Sequence, residues 1–124
     1  MGAVNKPLEN LNEASSRLRD ALDPEPSDVV HDAAIQRFEF CFESCWKAVQ
    51  QRLRADGSDC ASPKRCFQEA WRQSWVQESA ALSLIADRNL AVHTYDLELA
   101  EQVYSRLGDH HATITRLSSA LRTD

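Results

Sequence analysis

Arg88 and His93 stand five residues apart in the stretch Arg88-Asn89-Leu90-Ala91-Val92-His93-Thr94-Tyr95. The two side chains have the properties that metal-free cleavage of RNA requires. Histidine is the general base suited to neutral pH and can take the proton of a ribose 2′-hydroxyl. Arginine offers a phosphate a planar fork of donors, and it stabilises the charge that builds as the 2′-oxygen attacks phosphorus. Asn89 precedes His93 by four residues, so on a continuous helix it can hydrogen-bond the ring and fix its orientation. Arg88 is also out of pattern, in line with the apolar Ala81, Ile85 and Val92. The plainer account of it is structural: the stem lies on apolar surface and the guanidinium pairs with Asp87 or Asp96. For Tyr95, position alone favours packing against the next helix.

Geometry limits what one copy can do. Five residues at 100° each put Arg88 and His93 about 140° apart around a straight α-helix. They do not face one point unless the helix bends or ends between them. A two-fold dimer offers a solution, because two facing copies set two arginines and two histidines around one cleft.

The elements that must position these residues read as helices. A first helix is expected from about Asn5 to Leu22, with Leu8, Leu11, Ser15, Leu18 and Leu22 on one face. Asp23-Pro24-Glu25-Pro26-Ser27 stops it, since proline has no N–H to donate. Ser27 or Asp28 caps a long second helix that runs to about Ala55, where Asp56-Gly57-Ser58 ends it. Its apolar side holds Ala34, Ile35, Phe38, Cys41, Phe42, Cys45, Val49 and Leu53, widened by Trp46. Phe40 falls on the opposite, polar side near Gln36 and Lys47, in a strip with Val29 and Ala33. It is either a singly exposed aromatic or part of a partner surface.

Ser62-Pro63 opens a third helix, with Cys66, Phe67, Ala70, Trp71 and Trp75 on its apolar side. A fourth covers about Gln77 to Leu90 with a stripe of Ala81, Leu84, Ile85, Arg88 and Val92. A fifth starts near Asp96, carries Leu99, Val103, Tyr104 and Leu107, and meets Gly108, a point to kink or break before Ile114, Leu117 and Leu121. Helices joined by short loops define an all-α, up-and-down antiparallel bundle of four to five main helices, in one domain spanning 1–124.

Composition agrees with that class. The 124 residues are 43% hydrophobic and 27% charged, with three glycines and four prolines, too few for a turn-rich all-β fold. The formal net charge of −5 argues against binding nucleic acid over the whole surface. RNA contact must then come from local cations, for which Lys47, Arg52, Arg54, Lys64, Arg65 and Arg72 are candidates. No leader-like apolar core lies in Met1–Asn10 and no stretch is long enough to span a bilayer, so a cytoplasmic location without membrane contact is expected. Reduced thiols are expected there, and neither Cys41/Cys45 nor Cys60/Cys66 has the spacing of a zinc knuckle. No disulfide framework, metal or cofactor is therefore expected. His31, His110 and His111 lack ligand-spaced partners and read as surface residues. Tyr104 and the tryptophans read as core or interface.

Several stretches together resemble one family. They are Ala33-Ala34-Ile35-Gln36-Arg37-Phe38-Glu39-Phe40 with Cys41-Phe42-Glu43 and Trp46-Lys47, then Ser62-Pro63-Lys64, then Asp87-Arg88-Asn89 through His93-Thr94-Tyr95-Asp96. The chain resembles the HEPN proteins, and within them the HepT-like toxins of MntA/HepT toxin–antitoxin systems, also called nucleotidyltransferase substrate-binding proteins. The likeness covers about residues 8 to 121. It implies a dimerising helical bundle, with Arg88 and His93 as the catalytic Arg-x-x-x-x-His pair of a ribonuclease and Asn89 in support. It also implies a cognate minimal nucleotidyltransferase as antitoxin, which adenylylates the motif tyrosine, by position Tyr95. AMP there adds bulk and negative charge beside a phosphate site. Ser79-Ala80-Ala81-Leu82-Ser83 departs from the family pattern, lacking its Trp and Met, although Trp75 stands nearby. The rival reading is a non-catalytic substrate-binding or helper subunit of a minimal nucleotidyltransferase.

Overall fold

Four polar side chains mark where the helices begin. Asn5 accepts from Leu8 N–H, Ser27 from Val30, Ser62 from Arg65, and Asp96 from both Glu98 and Leu99. Each satisfies a donor that the first turn of a helix leaves without an intrahelical partner. In the computed structural model, which describes residues 5–122, they open α1 (Lys6–Ala21), α2 (Asp28–Ala55), α3 (Pro63–Arg72) and α5 (Leu97–Leu121). The fourth helix, α4 (Glu78–Leu90), has no side-chain cap. A 3-10 turn, Ala91–His93, follows it directly. Residues 1–4 and 123–124, part of the expected 1–124 unit, lie outside the described residues. Among the described residues there is no strand, and no helix is long and apolar enough to cross a membrane.

The protein is an all-α helical bundle built around α2, which packs on α1, α3, α4 and α5. The expected stripe of α2 is buried from Ala34 to Leu53, joined by Leu11 and Leu18 of α1 and by Val103, Leu107, Ile114 and Leu117 of α5. At the end of α2, Gly57 takes φ +87° while Ser58 N–H reaches back to Leu53 C=O. This is the left-handed closure that glycine permits without steric cost. Helix α3 closes in the same way, with Trp75 N–H bonded to Ala70 C=O, but its left-handed residue is Ser74 at φ +65°.

Three expectations need correction. Gly108 neither kinks nor breaks α5, which is continuous to Leu121. One exposed glycine costs a helix only about 1 kcal/mol, and the buried Leu107, His110 and Ile114 around it anchor the helix. His110 is therefore a core residue and not a surface one; it continues the spacing of Leu107, Ile114 and Leu117. Finally, Cys60 and Cys66 form a disulfide, against the expectation of four thiols. The fold brings Cys60, three residues before α3, onto its first turn, where Gln50 also holds the Cys60 carbonyl at 2.6 Å.

Candidate functional site

The motif spans the end of α4, the 3-10 turn and the cap of α5. The turn is tied at both ends: Thr94 Oγ1 donates to Ala91 C=O at 2.9 Å, and Asp96 N–H donates to His93 C=O at 3.1 Å. Helical winding thus changes between Arg88 and His93, the condition the spacing set for the two to escape a fixed 140° offset.

Arg88 is half-buried. One guanidinium nitrogen lies 3.6 Å from a Glu39 carboxylate oxygen, and the group sits 6.0 Å from the Phe42 ring centroid. Its partner is on α2, not Asp87 or Asp96 as local pairing suggested. His93 is exposed, and its ring meets Tyr95 edge-on with centroids 6.2 Å apart. Tyr95 is 83% exposed, so its hydroxyl is open to solvent and does not serve the core. Asn89 is exposed and makes no hydrogen bond to His93 among the described residues, because α4 gives way to the tighter turn before the four-residue register is completed. A cleft of about 450 Å³ runs between the motif and α2, lined by Asp32, Gln36, Glu39, Thr94 and Tyr95. Val92 and Leu97, which flank His93 and Tyr95 in the chain, are exposed, as are Val29 and Phe40 of α2; Phe40 lines a separate groove against α1.

Behind the motif lies a network that sequence pattern had not assembled. The residue of α4 that interrupts the buried line Ala81, Leu84, Ala91 is Asp87, not Arg88. Arg106 of α5 donates to both Asp87 oxygens at 2.8 Å, and His110 Nε2 lies 2.6 Å from Oδ2. Burial pushes the Asp87 carboxyl up, but the hydrogen bonds and charges of Arg106 and His110 outweigh this and hold it below the usual carboxylate range. An ionised carboxylate only accepts, so His110 Nε2 carries the hydrogen. The ring is further stacked on Phe38, 5.2 Å away. Asp87 thus locks α4 to α5 directly beside Arg88. The available signal was the coincidence of one acid and one histidine on core positions of two helices.

Other candidates have simpler places. Lys47, Arg52, Arg54 and Arg72 lie against Glu43, Asp56, Asp59 and Glu69 respectively, while Lys64 and Arg65 are at the surface. His31 is half-buried against the Tyr104 ring. Cys41 and Cys45 are buried thiols; burial pushes Cys41 up to about 12 and Cys45 well above its ordinary value, so neither is a nucleophile. No group of metal-ligating side chains occurs among the described residues.

Comparison with known proteins agrees with this architecture. The family described as nucleotidyltransferase substrate binding protein like matches residues 6–123. A Haemophilus influenzae protein named probable ribonuclease HepT is 31% identical over 100 residues, covering 73% of this chain and 68% of that protein. A crystal structure from Thermus thermophilus superposes with a TM-score of 0.84 at 36% identity, over 91% of this chain and 99% of the other. A second, from Haemophilus influenzae, is described as revealing the fold of a substrate binding domain of a nucleotidyltransferase. It matches with a TM-score of 0.79 at 28% identity, over 94% of this chain and 99% of the other. The chain belongs to the nucleotidyltransferase substrate binding protein family, in its HepT-like branch.

Proposed function

We infer that the chain is a metal-independent HEPN ribonuclease acting as a homodimer, with one RNA-cleaving cleft shared by two copies. The observation that carries this reading is the break in helical winding between Arg88 and His93, with His93 and Tyr95 exposed between the exposed apolar side chains of Val92 and Leu97. In the proposed reaction His93 takes the 2′-hydroxyl proton and the 2′-oxygen attacks the adjacent phosphorus. The 5′-oxygen leaves and is protonated, giving a 2′,3′-cyclic phosphate and a free 5′-hydroxyl. Arg88 balances the extra negative charge on the phosphorus. A second copy supplies a second histidine, which can return the proton to the leaving oxygen. Burying Val29, Phe40, Val92 and Leu97 against that copy would remove their apolar surface from water.

Control follows from Tyr95. Its exposed hydroxyl suits adenylylation by a cognate nucleotidyltransferase antitoxin, and the transferred phosphate would repel RNA from the cleft. The names of the relatives also favour a second reading, a non-catalytic subunit that binds a nucleotidyltransferase or its substrate. RNA incubation with the purified protein separates the two. The ribonuclease reading expects cleavage resistant to chelators, cyclic phosphate ends, and loss of at least about a hundredfold in Arg88→Ala and His93→Ala. Undiminished cleavage by folded His93→Ala overturns the assignment, and no cleavage by the wild type favours the second reading.

A further inference from the structure

A cavity of about 490 Å³ opens where the end of α3, the turn into α4 and the later part of α5 meet, and it shares no lining residue with the motif cleft. That volume lies within the range of small-molecule sites, about 300–1,000 Å³. Trp71, Trp75 and Ala80 give it apolar walls, Thr113 and Arg116 contribute donors, and Glu78 contributes an acceptor. Along α4 its last lining residue, Ala80, precedes Arg88 by eight residues, about 12 Å at the helical rise.

Two features distinguish it from an ordinary surface dent. First, Trp75 is held in place. The Arg52 guanidinium lies 5.1 Å from its ring centroid, and Arg52 is itself fixed by Asp56 at 3.1 Å and by the carbonyls of Ala120 and Leu121. An aromatic ring held from outside is a rigid stacking platform. Second, the exposed Arg116 has no acidic partner among the described residues; Arg37, Arg65 and Arg122 share this, but only Arg116 lines the cavity. A guanidinium without a carboxylate, beside two indoles, suits an anion attached to a flat ring.

The geometry points to a second nucleotide site, taking a nucleoside monophosphate unit. The base stacks on Trp71 or Trp75, the phosphate pairs with Arg116, and Glu78 accepts from a sugar hydroxyl or a base amino group. Inorganic phosphate would use only one of these contacts. The unit can come from a residue of an RNA strand or from a free mononucleotide. The site does not depend on cleavage at Arg88 and His93, so either assignment can fail alone.

The test titrates the intact protein with AMP, followed by equilibrium dialysis and tryptophan fluorescence. Saturable binding is expected, weakened about tenfold or more by Arg116→Gln and by Trp71→Leu, and unchanged by Arg88→Ala. Ala80→Phe, which fills the space without removing a wall, is expected to block it. A labelled 2′-O-methyl RNA oligonucleotide, resistant to cleavage, identifies the source: displacement of AMP marks a strand site, and its absence a mononucleotide site. Failure of AMP to bind at millimolar concentration overturns the inference. So does binding that survives both Arg116→Gln and Ala80→Phe but is lost in Arg88→Ala.

Discussion

Arg88 and Glu39 meet at 3.6 Å across the junction of α4 and α2, and Glu39 also lines the cleft that holds Tyr95. The arginine of the motif is therefore placed by the helix whose outer strip carries Phe40. Both side chains remain about one-third exposed. Solvent screens such a pair, and its contribution to stability is at most about 1 kcal/mol. Glu39→Gln should leave the melting temperature nearly unchanged while lowering RNA turnover about tenfold, because positioning matters more to rate than to folding. Thermal melts and cleavage rates on the same preparation check this. A parallel loss of stability and rate would make Glu39 merely structural.

Asp87 should behave in the opposite way. It is almost fully buried and holds Arg106 and His110. Asp87→Asn should cost about 2–3 kcal/mol, less than a wholly buried pair would, since Arg106 is partly exposed. The sign with pH follows from its depressed value. The stabilisation is fully present above the ordinary carboxylate value of about 3.9 and is lost as pH falls through the lower folded value. Denaturant melts between neutral and acid pH should show the gap between wild type and Asp87→Asn closing at the acid end. A gap independent of pH would contradict the ionised network.

That network also shows where sequence reading succeeded and failed. The capping residues Ser27, Ser62 and Asp96 and the stripe of α2 were legible, because both arise from local rules of period and hydrogen bonding, whereas Asn5 was counted as helical and is in fact the cap of α1. So were the types and spacing of Arg88, His93 and Tyr95. Which face of α4 is buried was misread by one residue, since Ile85 and Val92 drew the stripe toward Arg88 while tertiary packing selected Asp87. Partners 19 and 23 residues away on another helix leave no local mark. The pairing of Arg88 with Glu39 was hidden for the same reason.

The cysteines divide into two classes. Buried Cys41, pushed up to about 12, and Cys45, well above its ordinary value, should resist a thiol reagent at about pH 8 in the folded protein. Denaturation without a reductant should release two reactive thiols, and reduction should add the two of Cys60 and Cys66. Thiol titration under the three conditions reads this directly. Four thiols before reduction would contradict the Cys60–Cys66 bond.

Ser74 holds a left-handed conformation at φ +65°, where Gly57 serves the equivalent role for α2. An L side chain pays about 1–2 kcal/mol there, so Ser74→Gly should raise stability by about 1 kcal/mol after the extra freedom glycine gives the unfolded chain. Chemical denaturation measures it. A destabilised variant would mean that the Ser74 side chain makes a compensating contact.

If two copies complete one RNA-cleaving site, the paired motifs must meet in the assembly. The most direct measurement is a crystal structure of the purified assembly with an uncleavable RNA dinucleotide. Both His93 rings and both Arg88 guanidinium groups should face one cleft across a two-fold axis, with the scissile phosphate between them. His93 rings on separate, solvent-exposed surfaces, with the dinucleotide bound elsewhere, would contradict it.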